Sequence, residues 1–284
     1  MKTNPQNQKK AIRTLKLISV SASFLFLFGC PPKHDVPEPA GKIKFVFEHF
    51  VDGNAAIFDQ MVYTNAAGNN WELVRAQWFL SDFCLNRKDG TKLNLDQWTF
   101  YHYIDTDIPG SFSWEPEDSI DIGEYESISF VFGFTGAKNK PFMFVNPPES
   151  QMFWPYNLGG DSGGYHYMKI DGFWKDTNGS RVPFNFHLGV GQYQDANGVR
   201  LTDSKGNYFF VQNWFKVTLP ASFIVEDSSK TEITLRMNME NWFKNPNVYN
   251  HNLWGPDVME NQRALKVIKE NGQDVFSISK IQNL

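Results

Sequence analysis

The 284-residue chain is poor in cysteine, in clustered cations and in long apolar runs. Each shortage removes a class of protein. There are two cysteines, Cys30 and Cys84, so a disulfide framework is ruled out and at most one bridge could form. The 27 Lys and Arg are outnumbered by 31 Asp and Glu. Outside the first 16 residues they make no basic patch, which argues against a nucleic-acid partner. The longest apolar stretch, Leu17 to Phe28, falls short of the roughly 20 residues a membrane-spanning helix needs. Motifs of independent catalysis are missing too. The sequence has no Gly-x-Ser-x-Gly elbow, no His-Glu-x-x-His, no phosphate-binding loop and no paired-cysteine zinc signature. Its acids are too scattered to pick out a carboxylate pair for glycoside hydrolysis. We therefore expect a protein that is not an enzyme.

What is present begins with an export signal. Lys2, Lys9, Lys10, Arg13 and Lys16 precede the apolar run, which ends Leu27-Phe-Gly-Cys30. This resembles a bacterial lipobox, although Phe28 is bulkier than the small residue usual before the glycine. Residues 1–29 are expected to be a lipoprotein signal peptide, with Cys30 lipidated. Loss of the five basic residues moves the formal charge from −4 to −9. Stable anchoring takes more than one acyl chain, since each buried methylene contributes only about 0.8 kcal/mol. Residues 30–41, rich in proline, read as a spacer holding a single domain, 42–284, off the membrane. With Cys30 acylated, Cys84 has no partner, and its apolar surroundings suit a buried, inert thiol.

The domain punctuates as strands. Lys42–Phe50 alternates Ile43, Phe45, Phe47 and His49 against Lys44, Val46 and Glu48. Further strands are expected at Glu72–Leu85, Gln97–Ile104, Glu126–Phe134, Tyr165–Gly172, Pro183–Gly189, Tyr208–Leu219 and Thr231–Glu240, with a last edge strand at Asp274–Ile281. Asp-Gly at 52 and 89 and Asn-Gly at 178 and 197 mark turns between them. One helix is expected near the C-terminus, opening at Pro256-Asp257 and leaving through a left-handed Gly272. The fold class predicted is all-β: an antiparallel Greek-key β-sandwich with one C-terminal helix. The 26 Phe, 9 Trp and 10 Tyr supply its core.

Chemistry concentrates around Met152-Phe-Trp154-Pro, the glycine-rich turn with Gly159, Gly160, Gly163 and Gly164, and the strand carrying His166; Pro183-Phe-Asn-Phe-His187-Leu-Gly189 echoes it. His49, His166 and His187 each lie in a strand pattern flanked by aromatic residues, surroundings that keep imidazole neutral and able to ligate a metal. Imidazole suits copper, zinc and iron, and the divalent affinity order favours copper. Any one of these histidines, taken alone, also fits a hydrogen-bonded place in a core. Met152, Met168, Met237 and Met239 are either soft ligands or core filler. Asp118-Ser-Ile-Asp121 and Asp203 could hold calcium weakly, or are solvated turn acids. A different function class, a surface glycan binder, would use Trp114, Trp174 and Trp254 as exposed stacking platforms.

The order of segments resembles the MbnP-like family of envelope copper-associated proteins, in its lipoprotein branch. The segments that carry the resemblance are Phe47-Glu-His49, Asp52-Gly53, Tyr63-Thr-Asn-Ala-Ala-Gly-Asn69, Trp78-Phe-Leu-Ser-Asp82, Tyr101-His-Tyr-Ile-Asp105, Gly123-Glu-Tyr125, Met152-Phe-Trp-Pro, Gly164 to Gly172, Phe186-His-Leu-Gly189, Asn241 to Pro246 and Lys269 to Phe276. The resemblance implies an all-β domain in the envelope of a Gram-negative bacterium, outer-membrane anchored and facing the periplasm or the surface. It implies copper held by histidines beside a kynurenine made from tryptophan by a partner di-haem enzyme. His187 falls on the family's His-Leu-Gly motif and Trp154 on its Met-aromatic-Trp motif. The family's second tryptophan is replaced by Tyr156, so Trp154 here is either the modified residue or an unmodified wall.

Overall fold

A computed structural model describes residues 38–154 and 164–284. The signal segment, Cys30, most of the tether and the turn glycines 159, 160 and 163 lie outside the described residues. The first strand, β1, spans Ala40–Val51, two residues earlier than its sequence pattern suggested. Strand β2 is Asn70–Arg87, β3 Tyr101–Asp105 and β4 Gly123–Phe132. A short pair follows, β5 (Phe153–Trp154) and β6 (Gly164–Tyr165). Then come β7 (Met168–Lys175), β8 (Arg181–Leu188), β9 (Phe215–Val225) and β10 (Lys230–Asn238). A four-residue helix α1 (His251–Trp254) and helix α2 (Gln262–Asn271) precede the last strand, β11 (Phe276–Asn283).

Two sheets face each other. One runs β8-β7-β2-β4-β9, and the other is built on β11-β10-β1. The alternation in β1 buries Ile43, Phe45, Phe47, His49 and Val51 on one side, and that side meets β2. Phe45 lies 5.1 Å from Phe83, Phe47 lies 5.7 Å from Trp78, and Phe130 lies 5.4 Å from Phe276 in β11. Each fully buried ring contributes roughly 2–3 kcal/mol. This is the all-β sandwich the sequence predicted. Within it, β1 pairs with β10 in parallel, from Lys42 opposite Lys230 to Phe50 opposite Asn238, a pairing the antiparallel expectation did not include.

Other boundaries moved as well. The strand expected at 208–219 sits at 215–225, because a bulge between Pro220 and Phe223 absorbs a proline on an edge strand, where a missing N–H leaves no ladder bond unmade. Helix α2 starts at Gln262 rather than Pro256. Its N-cap is Asn261, whose side chain accepts from the N–H groups of Arg263 and Ala264. Gly272 leaves the helix in right-handed conformation, continuing into a 3-10 turn instead of the left-handed exit expected.

Around the candidate site the backbone is held closely. Strand β7 pairs with β8 on one side and β2 on the other, and the β2 register slips by one residue between Asp171 and Gly172. A Cβ at Gly172 would run into the Glu72 carbonyl and the Phe184 ring, so only glycine allows β2, β7 and β8 to approach there.

Candidate metal centre

The structure brings Trp154, His166 and His187 together. His166 stands just before β7, on the turn where β6 leads into it. Its backbone N–H donates to the Met152 carbonyl at 2.8 Å, and its Nδ1 lies 3.0 Å from the same oxygen. A carbonyl can only accept, so Nδ1 carries the proton and the His166 lone pair is at Nε2. That nitrogen is buried and has no hydrogen-bond partner among the described residues. Burial, reinforced by His187 and Lys169, holds the His166 pKa well below the usual histidine value, so the ring is neutral. The Trp154 ring packs edge-on against it, centroids 4.8 Å apart.

His187 projects from β8, opposite Lys169 in register. Its ring centroid is 5.1 Å from that of His166, the planes at 82°. Its Nε2 lies 2.7 Å from Asp171 Oδ1. An imidazole nitrogen ligates such an ion at about 2.0–2.1 Å, so two rings sharing one ion have centroids within about 6 Å of each other. The pair meets that limit. A buried, unpartnered Nε2 on a ring packed against a second imidazole is a donor set that suits a soft or borderline cation, and the residues present fit one.

His49 does not join them. It lies on the core face of β1 as its alternation predicted, but its Nε2 accepts the Trp78 indole N–H at 3.0 Å. Its ring packs against Trp78 and Phe112, and burial lowers its pKa to about 4. The lone pair expected to face a metal is tied up inside the sandwich. Among the described residues no three His, Cys, Asp or Glu gather into a ligand cluster. The candidate therefore rests on two imidazoles beside Trp154. The four methionines considered as soft ligands, Met152, Met168, Met237 and Met239, are buried in the core.

The calcium candidates are tied into loop hydrogen bonds. Asp118 accepts from the Gln97 N–H, Asp121 pairs with Arg87, and Asp203 accepts from the N–H groups of Lys205 and Asn207. Two of the three stacking platforms of the glycan reading are buried. Trp114 is buried between Phe45 and His102, and Trp174 is buried against His251 while donating to Asn252. Trp254 is half-buried beside Tyr249. The exposed tryptophan is Trp98, 72% accessible, which the sequence reading had not singled out. Cys84 is a buried free thiol, as expected.

Asp171 is the residue sequence reasoning missed. The signal was present: reflecting the chain about the Asn178-Gly179 turn sets His187 opposite Lys169, with Asp171 one diagonal step away.

The geometry defines an all-β sandwich with a histidine pair, one ring buried and one half-buried, and a tryptophan at one edge of its larger sheet. The MbnP family model matches residues 40–260, and the chain belongs to that family. Among solved structures it is similar to MbnP from Methylosinus trichosporium, at 13% identity and a TM-score of 0.43, covering 73% of this chain and 79% of that one. No curated protein matches it.

Proposed function

We propose that the protein is a non-catalytic copper-binding protein of the cell envelope, anchored through lipidated Cys30, which captures or hands over copper at His166 and His187. The observation that carries this reading is the buried Nε2 of His166, unpartnered among the described residues and set 5.1 Å, ring to ring, from His187. A buried polar nitrogen left without a partner is expensive, about 1–3 kcal/mol, and needs an explanation. A metal cargo provides one.

In this reading each residue has a physical task. Met152 holds the His166 proton on Nδ1 and so keeps Nε2 available. Trp154 closes one side of the pair and excludes water. Burial keeps His166 neutral, so a cation need not compete with a proton there near neutral pH. Copper, as cargo, is favoured over other divalent ions by the affinity order, and as the cuprous ion by its tolerance of few, neutral ligands. The resemblance to copper-associated relatives supports the same choice, and with it a partner di-haem enzyme acting on Trp154.

Metal analysis of protein purified without chelator from copper-replete cells tests the reading. One copper per chain is expected, falling to background in His187→Ala and in His166→Ala. No stoichiometric copper in the unmutated protein would sink it.

A further inference from the structure

We propose that Asp171 is a positioning residue for this site: it fixes His187 in the tautomer that leaves Nδ1 as the ligating atom. The inference builds on the copper reading, yet its first consequence is visible without any metal.

The Asp171 carboxylate accepts from Nε2 of His187 at 2.7 Å, so that nitrogen carries the proton and the neutral ring has its lone pair on Nδ1. His166 is held the opposite way, Nδ1 protonated against the Met152 carbonyl and Nε2 open. The two imidazoles thus present unlike nitrogens, one set by a carboxylate and one by the backbone. A charged acceptor behind a ligating imidazole orients the ring and raises its basicity, and loss of such a partner typically weakens metal binding 10–100-fold.

The surroundings reserve Asp171 for this task. Arg75 lies opposite it in the β2–β7 register, but its guanidinium binds Asp105 at 2.9 and 2.6 Å and Asp107 at 3.0 Å. Lys169, two residues away on the same face, donates instead to the Gln151 carbonyl at 3.2 Å. The register slip beside Asp171 leaves Val74 of β2 as the extra residue, while Asp171 keeps its pairing with Arg75. An ionised carboxylate here also carries one negative charge, enough to balance a cuprous ion.

The experiment compares the unmutated protein with Asp171→Ala and Asp171→Asn. Histidine ring nitrogens are read by 15N correlation spectra of metal-free protein, and cuprous affinity is read by competition with a chromogenic chelator. In the unmutated protein His187 should be protonated at Nε2. Asp171→Ala should spread His187 over both tautomers, leave His166 unchanged, and lower copper affinity 10–100-fold. Asp171→Asn keeps an accepting oxygen without the charge, so it should retain the tautomer and recover part of the affinity. An unaltered His187 tautomer in Asp171→Ala, or equal affinity in all three proteins, overturns the proposal. Should Asp171→Ala not fold, undiminished affinity in Asp171→Asn overturns it, and reduced affinity with the tautomer kept supports it. If the unmutated protein binds no copper, the function proposed above fails, and the metal-free spectra alone decide the role of Asp171.

Discussion

The Trp78 indole donates its N–H to Nε2 of His49 at 3.0 Å, joining the two sheets by a hydrogen bond inside an aromatic core. The partners stand 29 residues apart in sequence, on β2 and β1. His49 is therefore a structural acceptor.

Replacing His49 by Ala should leave the indole N–H unpaired and open a void, destabilising the fold by about 2–4 kcal/mol. Copper content should stay at the unmutated level. Chemical denaturation with metal analysis on one preparation checks both; loss of copper from a stably folded His49→Ala would return His49 to the site.

Acid should unfold the protein through its buried histidines. Burial pushes His251 down to about 3 and His49 and His102 to about 4, whereas the unfolded chain titrates near 6.5. Between these values the unfolded chain binds protons that the folded chain does not. Stability is therefore complete above about pH 6.5 and falls as pH drops toward 3. For His251, caged by Trp174, Phe184, Phe243 and Tyr249, the loss reaches on the order of 5 kcal/mol at the lower limit. His251→Phe should unfold with a smaller stability difference between pH 7 and pH 4, measured by urea titration at both.

Gly172→Ala should destabilise by about 1–3 kcal/mol, because its methyl meets the Glu72 carbonyl and the Phe184 ring. The neighbouring Asp171 would shift with the strand, so copper affinity should fall as well. A surface change in the same strand, Lys175→Ala, serves as the control, and equal behaviour of the two variants would refute the packing argument.

Asp105 is fully buried and accepts from Arg75, the Tyr103 hydroxyl at 2.8 Å and the Asp107 N–H at 3.0 Å. Asp105→Ala leaves the Tyr103 hydroxyl and the Asp107 N–H without this acceptor on the sheet behind the site, while Arg75 keeps Asp107. We expect a loss of about 2–4 kcal/mol, moderated by the partial exposure of Arg75, read as a lowered denaturation midpoint.

The strands were legible wherever alternation was clean, as in Ile43-x-Phe45-x-Phe47-x-His49, and so was the side of β1 on which His49 lies. Its partner was not, because the Trp78 contact depends on how two sheets stack. The meeting of Trp154, His166 and His187 could be anticipated from the Met-Phe-Trp and His-Leu-Gly segments. The proton positions could not, since they follow from the Met152 carbonyl and the Asp171 carboxylate. The misplaced strand at 208–219 has a plain cause. Tyr208 to Leu219 reads as one strand, yet Phe210–Val211 pairs with Gly191–Gln192, and the residues from Phe215 form a separate strand that alternates strictly between buried and exposed. The parallel β1–β10 pair has no local signature at all.

That pairing has a consequence for synthesis. Lys42 finds Lys230 across most of the chain, so the first strand to emerge from the ribosome waits for nearly the last. Until residues 230–238 arrive, one edge of β1 lacks its ladder partner, and the smaller sheet cannot close from the N-terminus. The smaller sheet is therefore the last part of the sandwich to be completed as the chain is made.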